Sequence, residues 1–154
     1  MSEESKLIIC QNRKARFDYF IQSTVEAGIM LVGSEVKSAR LRQVNLGEGF
    51  VSESGGALYL HQTNIAIYPF ANQFNHEPTR PRKLLLKKRE VTKLLMSIQK
   101  KGMTIVPVSM YFNPKGKIKV ELGLAQGKKQ IDKRATIKER DWTRQKQRVL
   151  KGDE

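Results

Sequence analysis

From Thr104 to Leu124, apolar side chains fall at every second position on either side of a turn. Val106, Val108, Met110 and Phe112 share one face of an outgoing strand, and Ile118, Val120, Leu122 and Leu124 share a face of the return. Asn113-Pro114-Lys115-Gly116 between them suits a turn with Pro114 at its second position, and Lys117, Lys119 and Glu121 point outward. A second hairpin is predicted from Phe50 to Gln62, around Ser54-Gly55-Gly56, followed by a strand from Thr63 to Tyr68. Phe17, Tyr19 and Ile21 alternate with Asp18, Phe20 and Gln22, a pattern that Phe20 blurs, and open a long bent strand. Glu26-Ala27-Gly28 reads as a turn or bulge within it, before it resumes over Ile29 to Val32.

The period changes to that of a helix between Glu90 and Lys101. Val91, Leu94, Leu95 and Ile98 make one apolar stripe, and Gly102 follows as a C-terminal stop. Such a helix should cover one end of a sheet. Two shorter helices are predicted: Arg13-Lys14-Ala15-Arg16 capped by Asn12, and a segment from Ser34 to Arg42 capped by Ser34. In the second, Val36 and Ala39 face inward and Lys37 and Arg40 outward. Short strands, hairpins and few helices fit a mainly β domain: a closed oligonucleotide-binding-type β-barrel with two or three short helices.

Charge then narrows the partners. The 154 residues carry a formal charge of +14, which points to a polyanion. Nucleic acid is the first candidate. An anionic membrane is a weak second, because no long apolar run or fully amphipathic helix is present. The cations gather at 13–16, 37–42 and 80–89. The last group is the most distinctive. Pro78 and Pro81 hold the chain extended, Arg80, Arg82 and Lys83 follow, Leu84 to Leu86 anchor it, and Lys87, Lys88 and Arg89 come next. The aromatic residues Tyr19, Tyr68, Phe70, Phe74, Tyr111 and Phe112 are scattered, so recognition of folded RNA by shape and phosphate fits better than stacking on single strands.

Beyond Ala125 the apolar positions thin out. Lys128 to Glu154 holds ten Lys or Arg and five Asp or Glu. The expected organisation is an RNA-binding barrel at 1–126 and a basic tail at 127–154, disordered alone. Helical signals survive in the tail: a Thr136/Glu139 capping box and Ala135, Trp142 and Val149 every seventh residue. It is therefore expected to become helical on a polyanion.

Catalysis is disfavoured. His61 and His76 are the only histidines, neither stands in a catalytic spacing, and no phosphate loop is present. Cys10 is the single cysteine, leaving no internal disulfide and no metal-ligand cluster, so no cofactor or metal is expected. The acidic start and lone thiol suit a reducing, cytoplasmic setting. An integral ribosomal protein and an RNA-processing enzyme are the competing readings. They predict co-purification with ribosomes lacking the RNA partner, and turnover of RNA, respectively.

Several linked motifs stand in order: Asn12-Arg13-Lys14-Ala15, Glu26-Ala27-Gly28, Gly33-Ser34-Glu35-Val36-Lys37-Ser38, Asn64-Ile65 and Pro78-Thr79-Arg80-x-Arg82-Lys83-Leu84-Leu85-Leu86. Gly127-Lys128-Lys129-x-x-Asp132-Lys133-Arg134 and Lys138-x-Arg140-Asp141-Trp142 complete the series. Over essentially its full length the chain resembles the SmpB family, the bacterial SsrA-binding proteins. The resemblance implies binding to the tRNA-like domain of transfer-messenger RNA (tmRNA). It also implies delivery of that RNA to stalled ribosomes for trans-translation, the barrel replacing the missing anticodon half of a tRNA. It implies indirect contact with elongation factor Tu and alanyl-tRNA synthetase through the RNA.

Carried over residue by residue, Arg13, Lys14, Glu26, Lys37, Arg40, Asn64, Arg80, Arg82, Lys83 and Lys87 become tmRNA contacts. Lys128, Lys129, Asp132, Lys133, Arg134, Lys138, Arg140 and Trp142 become a tail that enters the decoding site and messenger channel. Many relatives have His where this chain has Ile131, which can supply only apolar contact. Structural alternatives stand beside these roles. Glu26 either accepts from a base amine or 2′-OH or orients a nearby cation, Asn64 satisfies a turn, and Lys37 and Arg40 form a solvated helix face.

Overall fold

A computed structural model describes residues 7–70, 75–100 and 102–127. The tail residues from Lys128 onward, including Ile131, and Phe74 lie outside them. The described chain is mainly β. The elements run β1 (Leu7–Gln11), α1 (Arg13–Asp18), β2 (Tyr19–Ile29), α2 (Gly33–Arg40), β3 (Val44–Asn45), β4 (Phe50–Ser54), β5 (Ala57–His61), β6 (Asn64–Ile65), β7 (Arg82–Leu85), α3 (Lys88–Ile98), β8 (Met103–Phe112) and β9 (Ile118–Gly127).

Seven strands form one antiparallel sheet in the order β1-β8-β9-β2-β7-β5-β4, and β3 pairs with β6 separately. This corrects the expectation of a closed barrel. β4 lies beside β8, where closure would occur, yet no ladder joins them. Pro107 in β8 has no N–H to donate, and its carbonyl accepts the Asn12 side-chain amide at 2.9 Å. A Cβ on Gly49 would stand 2.7 Å from the Pro107 ring, so the chain just before β4 packs directly on that ring.

The long hairpin forms as its pattern requires, with the Asn113 to Gly116 turn closed by the Gly116 amide donating to the Asn113 carbonyl at 2.9 Å. Ile118, Val120, Leu122 and Leu124 do share the core face. On β8 the register slips between Pro107 and Ser109, which breaks the simple alternation. Ile105 and Met110 therefore face the main core, and Val106 packs on the other side with Ala15 and Ala125. β2 carries its bulge between Ile21 and Ser23, not at Glu26-Ala27-Gly28, which pairs without interruption to Glu121, Val120 and Lys119. The strand stops at Ile29. Phe17 belongs to α1 and is exposed. Only Asn64 and Ile65 of the predicted 63–68 strand find a ladder.

The β4–β5 hairpin has Gly55 and Gly56 at φ +60° and +82°, the left-handed pair that matches strand twist. Asn12 caps α1 through the Ala15 amide at 3.0 Å. The cap of α2 is Val32, two residues before the expected Ser34. Glu35 accepts the Val32 amide at 2.9 Å, while the hydroxyl of Ser34 turns to His76 instead of capping. α3 begins at Lys88, and Glu90 closes its first turn on the Lys87 amide at 3.0 Å. Its stripe of Val91, Leu94, Leu95 and Ile98 packs on the main core, as periodicity predicts.

Candidate nucleic-acid interface

Strand alternation gives the sheet a core face and an outer face. Ala27, Ile29, Leu84, Met110, Val120 and Leu122 point into the core. Their neighbours Glu26, Gly28, Lys83, Leu85, Tyr111, Lys119 and Glu121 must then point out. Register brings them together: Tyr111 opposite Lys119, Lys119 opposite Gly28, Gly28 opposite Leu85, and Glu26 opposite Glu121. The Tyr111 hydroxyl reaches across β9 and donates to Glu26 Oε2. Burial, then the bond to Glu26 and the charges of Glu26 and Glu121, push the Tyr111 hydroxyl far above its usual value, so it stays a donor. Glu26 remains exposed. Among the described residues its hydrogen-bond partner is Tyr111.

Gly28 matters to this cluster because a Cβ there would meet Leu85 Cβ at 3.1 Å and Lys119 Nζ at 3.6 Å. The bare backbone lets the lysine ammonium lie over β2, two residues from Glu26. Lys83 and Lys87 stand exposed at the edge of a groove between α3 and this face, which Glu26, Gly28 and Lys119 also line. The outer face therefore offers an acceptor, several ammonium donors and exposed Leu85 within one concave surface. That set can grip a sugar-phosphate backbone and accept from one base or 2′-OH.

The two arginines of the proline stretch do different work from that expected. Arg82 is wholly buried, so its role as an RNA contact is withdrawn. Its Nε donates to Glu35 Oε2 at 2.5 Å, Nη1 to the Thr63 carbonyl at 2.7 Å and Nη2 to the Pro78 carbonyl at 3.0 Å. Arg80 donates to both oxygens of the same carboxylate, with Nε to Oε2 at 3.1 Å, while its side chain stays 31% exposed. Burial would raise Glu35, but the hydrogen bonds from Arg80, the Val32 amide and Arg82 outweigh it and hold its carboxyl below the usual range. His76 extends this core of polar bonds. Its Nε2 faces the Ile65 carbonyl at 2.7 Å and must donate, so Nδ1 accepts the Ser34 hydroxyl at 2.8 Å. The loop at 75–81 is thereby tied to α2 and β6.

The remaining expected contacts are spread around the molecule. Arg13 and Lys14 are exposed on α1, where Lys14 pairs with Glu48. Lys37 and Arg40 are exposed on α2, with Lys37 Nζ 5.6 Å from the Tyr68 ring centre. Asn64 is exposed opposite Asn45 in the short ladder. Lys119 and Tyr111 were not among the expected contacts. Lys119 was legible only as an outward lysine, and nothing local links Tyr111 to a glutamate 85 residues away. Among the described residues no group of three His, Cys, Asp or Glu is placed to hold a metal ion. No helix among them is long and apolar enough to cross a membrane.

Comparison with known proteins agrees in every direction. The family model described as SmpB protein matches residues 9–152. An SsrA-binding protein of Caulobacter vibrioides is 53% identical over 145 residues, covering 94% of this chain and 95% of the relative. One from Novosphingobium aromaticivorans is 49% identical over 148 residues, covering 96% and 92%. Among solved structures, a chain of "tmRNA-SmpB: a journey to the center of the bacterial ribosome" aligns with a TM-score of 0.66 and 48% identity. It covers 77% of this chain and 83% of that one.

Proposed function

This chain belongs to the SmpB protein family, and from that premise we propose that it binds the tRNA-like domain of tmRNA and brings it to stalled ribosomes for trans-translation. It acts as an RNA-binding adaptor in the cytoplasm. The observation that carries the reading is the family match over residues 9–152, which spans both the sheet and the basic tail. The described domain stands in for the anticodon half of a tRNA. RNA docks on the outer face, where Glu26 accepts and Lys83, Lys87 and Lys119 neutralise phosphates. Arg13, Lys14, Lys37, Arg40 and Asn64 supply further contacts at its margins, and the exposed part of Arg80 adds one. The tail at 127–154 reads the decoding site and messenger channel through Lys128, Lys129, Asp132, Lys133, Arg134, Lys138, Arg140 and Trp142. Elongation factor Tu and alanyl-tRNA synthetase meet the protein through the RNA.

The test is titration of labelled tmRNA tRNA-like domain with purified protein at several salt concentrations. Tight binding that weakens linearly in log affinity against log salt is expected. Binding no stronger than to an unrelated RNA of equal length overturns the proposal.

A further inference from the structure

α3 has a second face that the core does not use. With about 100° between successive residues, Arg89, Lys93, Met96 and Lys100 fall within an arc of roughly 60°, opposite Val91, Leu94 and Ile98. Lys100 lies just past the Gln99 cap and continues the line. These residues form an open groove with Lys88, Thr92 and Ser97, and Met96 is 66% exposed at its middle. None of the four cations Lys88, Arg89, Lys93 and Lys100 makes an ion pair among the described residues. By contrast Arg80, Arg82 and Lys14 all have carboxylate partners. Unpaired like charges on one stripe repel one another, which is a cost unless a polyanion relieves it.

The stripe is also continuous with the outer sheet face. Lys88 and Thr92 line both this groove and the one that holds Glu26 and Lys119. We propose that the exposed stripe of α3, Arg89, Lys93 and Lys100 about Met96, is a further phosphate-backbone docking surface for the same bound tmRNA. The inference rests on the outer face being the RNA site. An RNA duplex seated over Glu26 and Lys119 runs on past Lys88 and lays a further stretch of backbone along the helix. Arg89 and Lys93 are about 6 Å apart in helix rise, and Lys93 and Lys100 about 10 Å, so they grip successive points of that backbone. A membrane surface does not fit, because the apolar stripe of α3 is already buried in the core and one methionine does not anchor a helix.

The test compares two variants of the full chain by salt titration with tmRNA. Arg89→Gln with Lys93→Gln and Lys100→Gln removes the stripe's charge from exposed positions and leaves good helix formers, with thermal melts confirming the fold. Lys83→Gln with Lys119→Gln weakens the outer face. The stripe variant is expected to lose about tenfold or more in affinity, with a salt slope shallower by about two to three. It should also lose protection of one block of tmRNA nucleotides against hydroxyl radicals. If only the outer-face variant loses affinity, the inference fails and the reading of the outer face stands. If neither does, both fail. A stripe variant that binds tmRNA normally but loses ribosome binding assigns the stripe to ribosomal RNA and overturns the inference.

Discussion

The sharpest prediction concerns Glu35→Gln. The replacement keeps the shape of the side chain and removes its charge. Glu35 and Arg82 are both fully buried, so the arginine is left without a counter-charge in a site that water does not reach. Arg82 retains the carbonyls of Thr63 and Pro78, which accept from Nη1 and Nη2 without neutralising the charge. Breaking a buried pair from one side costs about 3–5 kcal/mol. At about 2–4 °C per kcal/mol for a chain of this size, the melting temperature should fall by roughly 6–20 °C. Urea denaturation should show a lower midpoint at an unchanged slope.

Adding Arg82→Met to Glu35→Gln should recover much of the loss, because the stranded charge is removed. The wild type should show the same physics on acidification. Glu35 is held below its unfolded value of about 4.3, so its contribution is complete above that pH and fades as pH falls through the lower folded value. A Glu35→Gln protein less than about 1 kcal/mol weaker than wild type, or a double variant worse than the single one, refutes the reasoning.

Three further outcomes are expected. Tyr111→Phe should leave the fold intact but free the Glu26 carboxylate, weakening tmRNA binding several-fold in filter binding, and unchanged affinity would remove the tyrosine as a positioning group. Burial, offset in part by a hydrogen bond with the Met110 backbone, pushes the Cys10 thiol up to about 11. Its reaction with a disulfide reagent at pH 8 should therefore be far slower than that of an unfolded control, and equal rates would contradict the raised, half-buried thiol. Truncation after Gln126 should spare tmRNA binding and abolish peptide tagging on stalled ribosomes; tagging at the normal rate would take the tail out of the mechanism.

Much of the local structure was legible because local chemistry dictates it. The Asn113 to Gly116 turn, the Gly55-Gly56 hairpin, the Asn12 cap and the stripe of α3 all depend on residues a few positions apart. Errors arose where distant residues intervene. Ser34 was expected to cap α2, but His76 takes its hydroxyl. The pattern suggests a turn or bulge at Glu26-Ala27-Gly28, yet the glycine is there for Leu85 and Lys119 to pass closely, on strands far along the chain. Val106 was put on the wrong face because a bulge at Pro107 resets the alternation.

The sequence by itself determined the basic character, the mainly β pattern and, through linked motifs, the family, since charge, period and spacing are properties of the chain alone. Only the tertiary structure decided which cations are free to meet RNA. Arg80, Arg82 and Lys83 look alike in a row, but Glu35 lies 45 and 47 residues before the two arginines. Folding draws both guanidinium groups onto that carboxylate and leaves Lys83 in solvent, because a buried carboxylate must be paired and an exposed lysine need not be.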